Sequence, residues 1–143
     1  MGISADLMVG QIATVARTIS DADVALFALI TGDHHPLHLD AHYAHATRFG
    51  QRIVPAALVS GIVEAALAAT IPGKYAIICA QALAFAVPML VEDTLTITIT
   101  LMALDHATAH AHCGVVATRN DGAEVVRGTV TLQIEDLPDF EEN

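Results

Sequence analysis

Lysine and arginine are scarce: six among 143 residues, against sixteen aspartates and glutamates, for a formal net charge of −10. That excludes nucleic acid as a partner, because its phosphates demand clustered basic side chains. The chain also has no general attraction for anions, so a phosphate-bearing ligand needs a local basic site. Cysteine is limited to Cys79 and Cys113, whose separation suits neither a metal site nor a small disulfide framework. Both are expected to be reduced core residues, as in a cytoplasmic protein. No apolar run reaches membrane-spanning length unbroken, since residues 53–71 contain Pro55, Gly61 and Glu64. The opening MGISADLMVGQ has neither the basic start nor the apolar run of a secretion signal. No membrane partner is expected. Tryptophan is absent and aromatics make up only 4%, so any core is aliphatic.

What remains is strongly apolar. Hydrophobic residues make up 54% of the chain and charged residues 15%, which argues against disorder. The length suits one domain spanning residues 1–143, with the acidic tail from Asp136 to Asn143 frayed. So much small apolar surface points to packing against another subunit. There are no internal repeats and no low-complexity segments.

The periodicity changes once along the chain. Val9 to Ile19 alternates as a strand. Ser20 then has the character of a helix N-cap, with Asp21 and Asp23 favouring the positive end of the helix dipole. Val24, Phe27 and Ala28 follow at helical spacing, and Gly32 ends the helix. Asp40 is placed to cap a short helix from Ala41 to Thr47. Pro55 suits the first turn of the next helix. That helix, Ala56 to Thr70, is apolar nearly all round, the mark of a buried helix. From Tyr75 onward, four strands are predicted: Tyr75–Val87, Thr94–Leu104, Ala107–Arg119 and Ala123–Ile134. Thr94 to Thr100 alternates strictly, and Asn120-Asp121-Gly122 is a hairpin signal. The expected fold class is α+β: an antiparallel four-stranded meander wrapped around one apolar helix.

The chemistry concentrates in Gly32-Asp33-His34-His35-Pro36-Leu37-His38-Leu39-Asp40. Pro36 fixes its own φ and biases His35 away from helix, so a stiffened loop is expected. A carboxylate at Asp33 and an imidazole at His38 can share proton transfer near neutral pH. The bland alternative is that Asp33 is a turn residue and His38 an ordinary loop histidine. His34, His35, His38, His42 and His45 invite a metal, but no matched third ligand is evident and none is expected. His42 and His45 are expected on an exposed helix face. His110 and His112 are expected to share one strand face, with Cys113 pointing into the core. Glu64 is the one charge between Arg52 and Lys74; it either reaches solvent or a subunit boundary, or faces a substrate tunnel. Arg48 and Arg52 either contact ligand phosphates or balance the acidic surface.

These motifs resemble the MaoC-like (R)-specific enoyl-CoA hydratases of the hot-dog fold. The resemblance runs from about Val9 to Ile134. It rests on Ile19-Ser20-Asp21-Ala22-Asp23-Val24-Ala25-Leu26-Phe27, then Gly32-Asp33-x-x-Pro36-x-His38-x-Asp40, Arg52-Ile53-Val54, Gln81-x-Leu83-x-Phe85-x-x-Pro88 and Asp93-Thr94-Leu95. It implies a single hot-dog domain, homodimeric, acting in fatty acid metabolism. The implied activity is hydration of a trans-2-enoyl thioester of coenzyme A or acyl carrier protein, or the reverse dehydration. Asp33 and His38 are the implied catalytic residues. Coenzyme A enters only as part of the substrate, with no separate cofactor. A backbone N–H at the start of the central helix, that of Ala56, is the implied oxyanion donor.

The sequence departs from the family pattern at three places. His35 stands where the family has Asn. Pro55-Ala56-Ala57 stands where it has His-Gly-Met. Glu64 stands where a small or hydroxyl residue is common. His35, Ala56 and Glu64 are therefore the residues expected to bear on substrate binding. The alternatives are a hydratase-derived protein with a carrier-bound or unusual acyl substrate, or an acyl-thioester-binding protein without turnover.

Overall fold

In the computed structural model, residues 3–139 are described. The elements follow in order as β1 (Ile12–Thr18), α1 (Asp21–Thr31), α2 (Pro36–Leu39), α3 (Ala41–His45), α4 (Ala56–Ala69), β2 (Ala76–Phe85), β3 (Thr94–Asp105), β4 (His110–Thr118) and β5 (Glu124–Ile134). The acidic tail is described only to residue 139, without regular structure; the rest of it lies outside the described residues.

The five strands form one antiparallel sheet in the order β1-β3-β4-β5-β2. This corrects the expected four-stranded meander. Only β3, β4 and β5 are consecutive neighbours; β2 crosses over to pair with β5, and β1 takes the free edge of β3. Period and turns distinguish a strand from a helix but do not name its partner, which a long connection such as residues 86–93 leaves open.

Alternation decides which face is inside. On β3, Leu95, Ile97, Ile99 and Leu101 are fully buried, while the threonines between them stay half-exposed. Ala111, Cys113, Val115 and Ala117 of β4 lie buried on the same face. α4 lays Val59, Val63, Ala66 and Leu67 into that surface. Each fully buried Val, Leu or Ile contributes about 1.5–3 kcal/mol, so the β3–β4–α4 contact outweighs any single polar bond in the site it supports.

Burial differs from expectation in two places. α4 buries one face only: Ala57, Gly61, Glu64, Ala65 and Ala68 are exposed. Composition cannot see this, because a face of alanines and glycine is equally apolar in solvent or against a partner. Cys113 is buried as expected, and burial pushes its thiol up to about 11. Cys79 is exposed instead, on the edge strand β2, where it donates to the Thr131 carbonyl.

Candidate active site

α1 begins with a reciprocal cap. The Ser20 hydroxyl accepts the Asp23 N–H at 3.1 Å, and the Asp23 carboxylate accepts the Ser20 N–H at 2.9 Å. That box satisfies two donors that an uncapped helix leaves unpaired. The helix ends at Gly32, whose φ of 79° is left-handed and costs glycine nothing. Asp33 therefore emerges directly from a fixed helix end, with its N–H donating to the Thr31 hydroxyl at 3.2 Å.

Asp33 and His38 come together. His38 Nε2 lies 3.8 Å from Asp33 Oδ2, too long for a direct hydrogen bond. The second Asp33 oxygen accepts the His35 N–H at 3.3 Å, which sets the carboxylate's orientation. His38 Nδ1 lies 2.7 Å from the Ile53 carbonyl oxygen. A carbonyl only accepts, so Nδ1 carries a proton and Nε2 is the ring nitrogen left to face Asp33. The His38 side chain is 15% exposed and that of Asp33 46%. One group is thus held inside and the other faces an open approach.

His38 does not sit in the expected loop. Pro36 to Leu39 is one helical turn with proline at its first position, and His35 is its N-cap: the His35 ring nitrogen Nδ1 accepts the Leu37 N–H at 3.1 Å. Pro36 has no N–H to leave unpaired there, and its fixed φ suits the first turn. Asp40 then caps α3, accepting the Tyr43 N–H at 3.1 Å.

The segment before α4 closes the site. Ile53 donates to Leu37 O at 3.3 Å and Val54 to Met89 O at 2.7 Å. No side chain caps α4. Its first helical donors are Leu58 and Val59, both bonded to Pro55 O. Among the described residues, nothing accepts from the N–H groups of Ala56 and Ala57. Free N–H groups at a helix N-terminus favour developing negative charge.

The end of α1 thus supplies the carboxylate, α2 the oriented imidazole and α4 a bare helix N-terminus. A family model described as MaoC like domain matches residues 9–124. This chain belongs to the MaoC-like family.

An (R)-specific enoyl-CoA hydratase of Rhodospirillum rubrum is 35% identical over 133 residues, 90% of this chain and 89% of that protein. One from Aeromonas caviae is 32% identical over 128 residues, 90% of this chain and 96% of that one. The solved A. caviae (R)-hydratase superposes with a TM-score of 0.87 at 31% identity, covering 92% of this chain and 99% of that chain. The R-hydratase of Pseudomonas aeruginosa gives 0.86 at 29%, covering 97% and 95%. The sheet curled on α4 is the hot-dog fold of these MaoC-like neighbours.

The other expected residues of this MaoC-like chain are spread over several elements. Glu64 is exposed on the same open face of α4 as Ala57, Gly61 and Ala68. Gln81 of β2 reaches across to the Ser60 hydroxyl at 3.3 Å. Arg52 Nη1 is paired with Asp21 Oδ1 at 2.5 Å, and its side chain is only 19% exposed. Arg48 is exposed, with its guanidinium 4.3 Å above the Phe49 ring. His42 and His45 are exposed on α3 as expected, beside a cleft of about 510 Å³ that also takes in Gln51 and Arg52 but not Asp33 or His38. His110 and His112 share a face, and His112 Nδ1 meets the Thr131 hydroxyl at 3.1 Å. Among the described residues no three His, Cys, Asp or Glu side chains converge as a metal site, and no helix is long and apolar enough to cross a membrane.

Sequence reasoning missed the Ile53 carbonyl and the N–H of Ala57. Neither has a residue-type signal, because every residue carries a backbone and only the fold aims it.

Proposed function

We propose that this protein adds water to a trans-2-enoyl thioester of coenzyme A to give the (R)-3-hydroxyacyl product, or catalyses the reverse dehydration, with Asp33 and His38 as catalytic residues. The observation that carries the reading is the 3.8 Å gap between His38 Nε2 and Asp33 Oδ2, with His38 tied through Ile53 O to the segment that leads into the uncapped α4. A water in that gap donates one hydrogen to each acceptor. As its oxygen bonds to C3 of the substrate, the pair removes one proton from it and returns one proton to C2. The electrons displaced from the double bond pass to the thioester oxygen as an enolate. The N–H groups of Ala56 and Ala57 stabilise that charge. The relatives' names supply the substrate class and the stereochemistry. Coenzyme A is the carrier of the acyl group, and the chemistry calls for no resident cofactor.

The protein works as a homodimer in this reading. Residues 76–87 carry no charge, yet Ile77 and Phe85 on edge strand β2 are 51% and 42% exposed. A bare apolar edge strand invites pairing with another copy. The partner then covers the open face of α4 and converts it into an acyl channel. Glu64 stands eight residues beyond Ala56 on α4, roughly 12 Å along the axis, so it meets the distal end of a long acyl chain. Of the two arginines, exposed Arg48 is better placed for a coenzyme A phosphate than Arg52, which Asp21 already holds.

A second reading, in which the acyl group is short or carries a polar end, is favoured by Glu64 itself. A carboxylate beside a long alkyl chain is costly.

The test is hydration of crotonyl-CoA by the purified protein, with chiral analysis of the product and with Asp33→Asn and His38→Gln as controls. The (R)-3-hydroxy product, lost in both controls, is expected. Binding without turnover in a folded dimer would exclude the hydratase reading in favour of a thioester-binding role.

A further inference from the structure

We propose that His35 is a positioning residue whose ring must be neutral for the helical turn carrying His38 to stay in place. This rests on the catalytic reading of His38 above and adds a residue that acts through it. The turn is four residues long, and so short a helix has little stability of its own. Its first free donor, the Leu37 N–H, is taken by His35 Nδ1 at 3.1 Å. An imidazole nitrogen accepts a hydrogen bond only when it carries no proton. When the ring takes its second proton, an N–H faces an N–H and the cap becomes a repulsion. An asparagine oxygen at the same place accepts at any pH, whereas an imidazole nitrogen accepts only without its proton.

The turn has a second anchor, the bond from His38 Nδ1 to Ile53 O. Losing the cap therefore loosens the turn rather than releasing it, and the Asp33–His38 gap is what changes. The titratable groups facing the His35 ring are Asp33, whose carboxylate accepts the His35 N–H, His38 with its ring 6.1 Å away on α2, and Tyr43 with its ring 6.0 Å away on α3. His34 adjoins it in the chain. All of them persist in variants of position 35, so a difference between those variants reports on His35.

The experiment has two arms. In the first, 15N-labelled protein and His35→Asn are followed by NMR from about pH 8 to about pH 5, reading the His35 ring nitrogens and the protection of the Leu37 amide from exchange. An unprotonated Nδ1 at the upper pH is expected. Leu37 protection should fall as the ring is protonated, with no such fall in His35→Asn. A protonated Nδ1 at the upper pH, or equal protection in both proteins throughout, overturns the proposal. This arm needs no substrate.

In the second arm, kcat and KM for crotonyl-CoA are measured across the same range for the native protein, His35→Asn and His35→Ala. The native acid limb of kcat is expected to be steeper than the roughly tenfold per pH unit of one proton, and His35→Asn to return it to about tenfold. His35→Ala should lower kcat about fivefold at the upper pH with KM little changed, and Asn should restore it. Identical acid limbs in native protein and His35→Asn overturn the proposal. No turnover in any of the three, with the first arm as expected, sustains the cap and overturns the hydratase reading instead.

Discussion

The Ile53 carbonyl accepts a hydrogen bond from His38 Nδ1 at 2.7 Å, and that bond decides which ring nitrogen faces Asp33. A backbone atom two residues before the α4 cap thus fixes the tautomer of a side chain fifteen residues earlier. His38→Gln removes the paired ring nitrogens and is expected to lower kcat by about 10²–10⁴ while leaving the circular dichroism spectrum unchanged. Ring 15N shifts should report a protonated Nδ1 in the native protein and in Asp33→Asn alike. An Nε2–H tautomer would contradict the geometry.

Arg52 and Asp21 join the approach to α4 to the first turn of α1, the helix whose far end delivers Asp33. Asp21 is 64% exposed, so solvent screens the pair and its coupling is expected to be only about 0.5–1 kcal/mol. A double-mutant cycle of Arg52→Ala and Asp21→Asn, read by urea unfolding, measures it. If Arg52 bound substrate phosphate instead, Arg52→Ala would raise KM for the coenzyme A ester far more than Asp21→Asn does.

Two glycines on neighbouring strands should respond differently to the same change. A Cβ at Gly128 would lie 2.0 Å from the Ala82 carbonyl oxygen and 2.9 Å from Ala82 C, all backbone of β2. A Cβ at Gly114 would crowd the Met102 side chain, 2.8 Å from Sδ, which can swing away, while the Thr100 carbonyl oxygen lies at an ordinary 4.0 Å. Gly128→Ala is expected to cost about 3 kcal/mol or more, and Gly114→Ala about 1 kcal/mol or less. Thermal unfolding separates them; equal losses would mean that β2 yields as easily as a methionine.

The α1 cap predicts a pH dependence. The Ser20 N–H and then Arg17 hold the Asp23 carboxyl below its ordinary value of 3.8. A carboxylate with a lowered folded pKa adds stability that is fully present above the unfolded value and is lost as pH falls through the folded one. The stability lead of native protein over Asp23→Asn should therefore be constant near neutrality and close below about pH 4. Urea melts at neutral pH and near pH 3 check this.

In the proposed acyl channel, Glu64 stands roughly 12 Å along α4 from Ala56, past the end of a four-carbon acyl group held at the helix start. Glu64→Ser is expected to leave kcat/KM for crotonyl-CoA unchanged and raise it for a ten-carbon enoyl-CoA by about tenfold or more. An equal change for both chain lengths would remove Glu64 from the channel.

Much of the fold was legible because its signals are local. Alternation in Thr94–Thr100, the cap at Ser20 and the stop at Gly32 depend on the pleat, on hydrogen-bond reach and on left-handed φ, which neighbouring residues fix between them. β1, α1, α4 and β3–β5 accordingly lie close to where periodicity puts them. Asp33 and His38 could be picked out for the same reason: five residues apart across a proline, they have little room to separate.

The sequence by itself determined the type of β1, α1, α4 and β2–β5, the aliphatic core, and a carboxylate and an imidazole held five residues apart across Pro36. The tertiary structure alone decided that β2 pairs with β5, that one face of α4 stays open, and that Arg52 is spent on Asp21. It alone turned His35 into a cap and aimed Ile53 O at His38. The first set follows from chemistry repeated along the chain. The second depends on backbone groups and long-range contacts, which no residue type announces until the chain has closed on itself.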